Sequence, residues 1–352
     1  MKGDSYIKRG QVKGYLFEIV ILALLDRNGF KKIDVLHEPR ERFREERPGF
    51  IEMKGRGCWH QIDCPCDYHR LIPFSYPLRL LGEVKFYSTE LSKKAIREFI
   101  GVVKDIQENY FVFDGQGLEE SYPRKTEIAV YFAANGFQEE AEKLAYAHGI
   151  KTVSYKNNYI VKRIKELISE LEKNYIRADG IQDNRWPEFY QEYTRYIYNG
   201  GDDEYATNYS FVANGYQRLL NQISEELISI RTNFVATTAT GVFIHFFSKD
   251  RFPEELFYHT DNGYCRVYYH TDRYGNKSFW MTIRDDEEER RFYFSPPDSL
   301  SEAAVYGREI VLGEKEQIFK RLSINIEIRN VARNLILEFD NDWKTAVLSQ
   351  LY

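Results

Sequence analysis

The apolar positions of the first half of the chain alternate between helical and strand-like spacing. The run YLFEIVILALL (15–25) is almost entirely apolar and lies within a predicted helix over residues 11–27, which ends before an Asn-Gly pair. LRLLGEVKF (78–86) is a near-continuous apolar run, which is typical of a strand at the centre of a sheet. Residues 92–108 then place apolar side chains at helical spacing behind Ser92, a residue type that favours helix starts.

The same patterning continues into a crossover unit. TEIAVYFAA (126–134), FQEEAEKLAYAHG (137–149) and IKTVSY (150–155) predict a strand, a helix and a strand, and the two strands of such a unit are expected to be parallel. KKIDVLHE (31–38) and HQID (60–63) predict two further strands, and the charged, glycine-containing segment between them is expected to be a connection.

The pattern changes after a charged helix predicted over 160–175. A stretch that mixes Gly, Pro and polar residues follows, and we place a domain boundary and linker there, at 176–185. Beyond it the sequence predicts an aromatic helix over 187–198, a helix around 215–231, a hairpin that turns at YGN (274–276) and a strand at RRFYFS (290–295). The chain is therefore expected to join an α/β domain over 1–175 to an aromatic-rich, β-rich α+β domain over 186–352.

Composition and cysteine content indicate which general class of protein this chain belongs to. The chain has 352 residues, enough for two cores, and its 43% hydrophobic and 29% charged residues indicate folded domains rather than disorder. Three of the four cysteines are crowded between 58 and 66, unlike a secreted disulfide framework, so we expect a cytoplasmic protein. The apolar run at 15–25 contains a glutamate and is shorter than a membrane span, so no membrane association is expected.

Three carboxylates and a lysine are the candidate catalytic groups. Glu83 and Lys85 stand two positions apart in a predicted strand, so both project from one side of it. Asp63 ends the preceding short strand and can meet Glu83 if the two strands are neighbours. Glu18 lies in the apolar first helix, where a carboxylate is costly unless it is paired or binds a cation. An oxygen-rich site with a lysine suits Mg²⁺ or Mn²⁺ and the hydrolysis of a phosphodiester.

This succession of elements resembles the PD-(D/E)xK nuclease superfamily, specifically its Mrr-like restriction endonuclease branch. The resemblance covers about residues 10–157. It implies a restriction-endonuclease-like α/β fold with a central mixed sheet flanked by helices, and metal-dependent cleavage of DNA. It further implies that Asp63 and Glu83 bind the metal, that Lys85 orients a water and that Glu18 is an auxiliary acid. Gln61 is a weaker part of the resemblance.

Basic residues near these positions are candidates for DNA phosphate contacts. Lys93, Lys94 and Arg97 open the predicted helix that follows Lys85, and Arg56 lies in the charged connection before Asp63. Residues 1–175 carry a formal charge of +3, whereas residues 176–352 carry −8. If one half of the chain meets a polyanion, the first half is therefore the better suited.

A zinc site is the main competing interpretation of residues 58–69. Thiolates and imidazoles are the ligand types that zinc prefers, but the C-x-C spacing differs from the usual knuckle and no second cysteine pair follows nearby. We therefore expect reduced cysteines in a loop and little structural zinc. The ligands of such a site would come from Cys58, His60, Cys64, Cys66 and His69.

The sequence leaves more than one function open. We expect a magnesium-dependent endodeoxyribonuclease, and the resemblance implies a role in restriction or antiviral defence. One alternative is a non-catalytic DNA-binding or scaffold protein on the same fold, and another is a nuclease held idle by a C-terminal sensor. The acidic second half holds 15 of the 27 tyrosines, which favours a homodimer contact, a companion protein or a small ligand over DNA.

Overall fold

The computed structural model describes most of the chain. The described residues are 6–72, 74–109, 124–199, 215–238, 243–258, 263–271, 277–283, 290–295, 320–328 and 331–340. The predicted hairpin turn at 274–276 lies outside the described residues, whereas the strands on either side of it are described.

The chain forms two compact units. The first comprises residues 1–152 and 164–227, and the second comprises 153–163 and 228–352. This division differs from the predicted boundary at 176–185, because a helix beyond that boundary packs onto the first helix of the chain. Trp186 is fully buried in the first unit, with its ring centroid 5.2 Å from that of Tyr15.

The first unit contains both predicted types of element. Its helices are α1 (Arg9–Asp26), α2 (Lys93–Gln107), α3 (Glu139–Ala147), most of α4 (Tyr159–Tyr175), α5 (Trp186–Asn199) and most of α6 (Tyr216–Ser229). Its strands are β1 (Tyr6–Ile7), β2 (Phe30–Lys32), β3 (Phe43–Glu45), β4 (Ile51–Lys54), β5 (Trp59–Gln61), β6 (Cys64–Tyr68), β7 (Leu78–Lys85), β8 (Thr126–Ala133), β9 (Lys151–Ser154, which crosses the unit boundary) and β10 (Ile181–Gln182). The helices expected from sequence are present with bounds shifted by a few residues at most.

A five-stranded mixed sheet is the frame of the first unit. Its strand order is β2-β6-β7-β8-β9, with β6 antiparallel to β7 and β7 parallel to β8. The predicted central strand β7 is indeed interior. Helix α2 connects β7 to β8, and its residues Ile96 and Phe99 share an apolar cluster with Leu81 of β7 and Tyr131 of β8.

Two local predictions were wrong. The charged connection expected between 40 and 57 contains β3 and β4, which form a three-stranded antiparallel sheet with β5. Phe43, Ile51 and Met53 bury their side chains there while the charged residues beside them face outward. The strand expected over 31–38 stops at the end of β2, where the Asp34 carboxylate accepts the N–H of Leu36 and begins a short 3-10 turn.

Helix α1 is buried over its second half, which explains the almost entirely apolar run at 15–25. Residues 16–25 are all buried, and the helix packs against β2, β6, β7 and α5. A helix that is apolar all round is expected inside a protein rather than at its surface. Among the described helices, none combines the length and the apolar character that crossing a membrane requires.

The second unit is dominated by one seven-stranded sheet. Its strands are β11 (Thr232–Thr238), β12 (Phe243–Ser248), β13 (Tyr264–Thr271), β14 (Lys277–Ile283), β15 (Phe292–Phe294), β16 (Arg321–Ile328) and β17 (Val331–Phe339). They pair in the order β12-β11-β16-β17-β13-β14-β15, and the β13–β17 pair is parallel. The expected strands of the 265–295 region are therefore present. The protein is a mixed α/β chain with a β-rich C-terminal region.

Candidate functional site

The pairing of β6 with β7 brings Asp63 beside Glu83 and Lys85. Asp63 immediately precedes β6, and Cys64 of β6 lies opposite Gly82 of β7. The Asp63 carboxylate accepts the backbone N–H of Val84 over 2.9 Å, which fixes it against the end of the neighbouring strand. The side chain is buried, so this hydrogen bond replaces solvent that the carboxylate has lost.

A glycine in β7 permits this approach. A Cβ atom added at Gly82 would lie 2.7 Å from the Cβ of Cys64 and 3.0 Å from the Cys64 carbonyl oxygen. Both strands are buried at this point, so neither has room to retreat. Gly82 therefore sets the separation of β6 and β7 next to Asp63 and Glu83.

Lys85 bridges the two carboxylates. Its Nζ lies 2.8 Å from Oδ2 of Asp63 and 2.5 Å from Oε1 of Glu83. Burial alone would lower the pKa of Lys85, but the surrounding carboxylates outweigh it and raise this pKa well above its ordinary value. Lys85 is consequently an ammonium throughout the neutral range, where it can donate hydrogen bonds but cannot act as a base.

The carboxylates outnumber the single lysine, and their pKa values reflect this. Burial and the charge of Asp63 raise the pKa of Glu83 to about 7, against a lowering effect of Lys85. Burial and Asp63 also raise the pKa of Glu18 well above its usual range. Glu18 is only 6% exposed, and it accepts no hydrogen bond from any residue that the structure describes. Among the described residues, this cluster therefore has three carboxyl groups against one ammonium, and Glu18 is its one carboxyl group without a hydrogen-bond donor.

These groups line an open cavity of about 690 Å³. Glu18, Gln61, Asp63, Glu83 and Lys85 all contribute to its wall, so the fold brings these five residues together. The other lining residues come mainly from the N-terminal half of α1 and the segment after β7, namely Gly10, Gln11, Lys13, Gly14, Tyr15, Val84, Phe86, Tyr87, Ser88, Thr89 and Glu172. The cavity thus gives solvent-borne molecules access to the carboxylates.

Two of the lining residues that the sequence did not point to carry polar groups on the same helix as Glu18. Tyr15 hydrogen-bonds through its side chain with Gln61, and burial together with Glu18 raises the pKa of its hydroxyl to about 12. Lys13 lies over the ring of Phe86, with its Nζ 4.3 Å from the ring centroid. Their position on the same helix as Glu18 is the only signal in the sequence that could have placed them at the same site.

The proposed phosphate-contacting residues are placed elsewhere. Lys93, Lys94 and Arg97 are exposed near the start of α2 and are not among the cavity-lining residues. Lys93 pairs with Glu140 over 2.6 Å, and Lys94 lies 3.9 Å from Glu98.

Arg56 is also exposed and lies 3.5 Å from Glu108. Lys93, Lys94 and Arg56 are therefore each accompanied by an acidic residue, and none of the three lines the cavity.

The candidate zinc ligands are not brought together as a set. Cys64 and Cys66 are buried in β6, where burial raises the pKa of both thiols, and the His69 imidazole contacts the carbonyl oxygen of Gly29. Cys58 and His60 lie apart from them, at the start of β5. Their nearest metal-ligating neighbour among the described residues is Asp105 of α2, which the sequence did not point to.

Comparisons with known proteins give few matches to this chain. No protein-family model matches the chain, and no curated protein matches it. A crystal structure of a protein of unknown function, AF1548, matches at 16% sequence identity with a TM-score of 0.25. The match covers 41% of this chain and 60% of that one, so the chain spans less than two thirds of that protein's length. A likeness of this size carries no argument about fold or function.

Proposed function

We propose that this protein hydrolyses phosphodiester bonds in DNA with the help of a divalent cation. The observation that carries the proposal is the convergence of Glu18, Asp63, Glu83 and Lys85 at one accessible cavity. This combination is the one that the resemblance to PD-(D/E)xK nucleases implies, and it arises here from elements far apart in sequence.

The topology around the site also supports a restriction-endonuclease-like core. The acidic pair lies where an antiparallel neighbour, β6, meets a strand that continues by a helical crossover into a parallel neighbour, β8. The buried helix α1 adds the auxiliary carboxylate from a third direction. We therefore assign the catalytic role to the first unit of the chain.

The donor set fits a hard divalent cation such as Mg²⁺ or Mn²⁺. Asp63 and Glu83 would hold the ion, because carboxylate oxygens are the ligands that these cations prefer. A bound cation would offset the excess of acidic groups here, including the buried Glu18 carboxyl group, which accepts no hydrogen bond from the part of the chain that the structure describes. When bound, the ion would polarise the phosphoryl group and offset its developing negative charge.

The residues of the chain have separate tasks in this mechanism. Lys85 keeps its proton and directs it toward the oxygen atoms of the substrate or of the attacking water, while its charge stabilises the transition state. The Val84 N–H keeps Asp63 fixed during the reaction. Glu18 lines the same cavity from α1, and its carboxylate would add negative charge beside the ion.

The test is a cleavage assay with supercoiled plasmid and linear DNA in Mg²⁺, Mn²⁺ or EDTA. We expect nicked or linear products with either cation, none with EDTA, and none from a Glu83→Gln protein purified in the same way. A folded wild-type protein that binds DNA but leaves every substrate intact in both cations would instead favour the non-catalytic DNA-binding alternative.

A further inference from the structure

A second group of metal-ligating side chains lies outside the proposed catalytic cavity. Cys58 and His60 flank the start of β5, and Asp105 lies near the end of α2. The Cys58 Sγ is 3.4 Å from Nε2 of His60 and 4.0 Å from Oδ2 of Asp105, while Nε2 and Oδ2 are 2.7 Å apart. One atom from each of three residues thus converges on one point.

The loop before β5 is built around the Asp105 carboxylate. Asp105 accepts the N–H groups of Gly57 and Cys58, and its backbone oxygen accepts the N–H of Arg56. A Cβ atom at Gly55 would lie 2.1 Å from Oδ2 of Asp105, so only glycine allows the carboxylate to reach this position. The carboxylate is therefore held in a fixed orientation toward Cys58 and His60.

The contacts argue against a cysteine-nucleophile triad. In such a triad the thiol and the carboxylate bind opposite nitrogens of the imidazole, so that the ring relays between them. Here both approach the same nitrogen: Nε2 is the nearer ring atom to the Cys58 sulfur, at 3.4 Å against 4.0 Å for Nδ1, and it is also the one that contacts Asp105. Side chains that bind one metal ion likewise direct one ligand atom each toward a common point.

The distances are close to those of a tetrahedral zinc site. Zinc bonds to sulfur, nitrogen and oxygen place adjacent ligand atoms about 3.3 to 3.8 Å apart. The Cys58–His60 distance already falls in this range, and the other two require shifts of less than about 1 Å in side chains that retain access to solvent. A thiolate with an imidazole selects zinc over magnesium or calcium.

We propose that Cys58, His60 and Asp105 form a zinc site with a fourth position open to solvent. The ion would tie the loop at 55–58 to helix α2, and hence the chain segment entering Asp63 to the helix that follows Lys85. The sequence predicted little structural zinc, and this ligand set differs from the candidates named there, since it excludes Cys64, Cys66 and His69 and adds an aspartate from a distant element. It does not depend on the proposed nuclease activity.

The test is metal binding by the full-length protein, stripped with EDTA and kept reduced, with Co²⁺ as a spectroscopic probe. We expect one equivalent of Co²⁺ to give thiolate-to-cobalt charge-transfer absorption that one equivalent of Zn²⁺ removes. Cys58→Ser should abolish this band, and His60→Gln and Asp105→Asn should each weaken binding by about tenfold or more. Thermal melting would establish that each variant is folded.

A matched control is present in the same unit. Asp34 also accepts a backbone N–H and lies 2.8 Å from a histidine, His37. That pair is exposed, and among the described residues it belongs to no group of three metal-ligating side chains. Asp34→Asn should bind metal like the wild type. A folded wild-type protein without the cobalt band, or a band that survives Cys58→Ser and is lost in Cys64→Ser, would overturn the assignment.

Discussion

The ammonium of Lys85 lies 2.8 Å from the carboxylate of Asp63, at the point where Gly82 allows the start of β6 to approach β7. The same carboxylate accepts a backbone N–H from Val84, between Glu83 and Lys85. The Asp63 carboxylate therefore contributes both to the packing of the sheet and to the proposed chemistry. Changes at either partner should affect both stability and catalysis, and matched variants can separate the two effects.

Lys85→Met should lower DNA cleavage by at least about a hundredfold, because the change removes the positive charge assigned to the transition state. It also leaves Asp63 buried without its counter-ion, at a cost of about 1 to 3 kcal/mol in the free energy of unfolding. Lys125→Met is the control, since Lys125 pairs with Asp67 over 3.1 Å elsewhere on the same sheet. Single-turnover rates and urea unfolding measure the two effects. Cleavage at the wild-type rate by Lys85→Met would refute the site.

Glu18→Gln should make the metal-free protein more stable at pH 8. In the presence of Mg²⁺ the same variant should cleave DNA more slowly than the wild type and need a higher Mg²⁺ concentration to reach half of its maximal rate. The stability gain is expected because Glu18 is buried, unpartnered among the described residues and close to other carboxylates. Glu192→Gln in α5 is the matched control: Glu192 is also buried, with one oxygen lacking a hydrogen bond, and burial raises its pKa to about 7. Glu192→Gln should also stabilise the protein, but it should leave the dependence of cleavage on Mg²⁺ concentration unchanged. Identical metal profiles for both variants would make Glu18 structural.

Gly82→Ala should destabilise the first unit and reduce cleavage, because the added methyl group forces β6 away from β7 beside Asp63. Gly101→Ala in α2 is the comparison, since nothing lies within 4 Å of its added Cβ and the position is helical and exposed. That variant should gain up to about 1 kcal/mol. Denaturant unfolding and the cleavage rate per folded molecule are measured for both variants. A wild-type cleavage rate in Gly82→Ala would contradict the proposal that Gly82 sets the spacing of β6 and β7.

The second unit should lose stability on acidification because of His245. Burial lowers the pKa of this histidine to about 3, and its ring nitrogens contact the Tyr155 hydroxyl and the Asn233 amide oxygen. The unfolded chain takes up a proton near pH 6.5 and the folded chain does not, so stability is full above that pH and falls as pH drops toward 3.

His245→Gln should flatten the dependence of unfolding free energy on pH between about 3 and 6.5 in urea titrations. His37→Gln should leave it unchanged, because the His37 ring is largely exposed. A slope that is the same in His245→Gln and the wild type would show that other groups control the acid sensitivity.

Truncation should separate DNA binding from the role of the acidic half. A fragment of residues 1–227 retains α5 and most of α6 and should keep most of the salt-dependent DNA affinity, whereas a fragment of 1–175 lacks Trp186 and should be unstable. Trp186 packs against Tyr15 and Phe50 and donates its ring N–H to the Pro48 carbonyl. Binding measured across salt concentrations, with solution mass, also tests the predicted homodimer. Loss of most salt-sensitive binding from folded 1–227 would assign DNA contact to the second unit.

Much of the first unit could be predicted because its signals are local. The strand period placed Glu83 and Lys85 on one side of β7, and the burial of α1 followed from eleven consecutive residues with a single charge. The strands β3 and β4 were missed because β3 buries only Phe43 and β4 buries only alternate side chains, so the charged residues between them make the segment look like a loop.

The missing parts of the two sites depend on contacts between distant segments. Asp105 stands on the polar side of an amphipathic helix, where an aspartate carries no sign of a role, and only the fold brings it to Cys58 and His60. The packing of α5 on α1 likewise depends on Trp186 finding Tyr15, which no pattern within either segment encodes.

The packing of α5 over α1 also affects the stage of synthesis and folding at which the proposed catalytic cavity can form. Tyr15 and Glu18 lie about one turn apart, and Tyr15 packs on Trp186, roughly half the chain length away. Contacts of such long sequence separation close late in folding, because the intervening chain must first be ordered. On the ribosome, α1 emerges long before its cover exists. The proposed catalytic cavity therefore cannot be complete until the chain has been synthesised through Trp186.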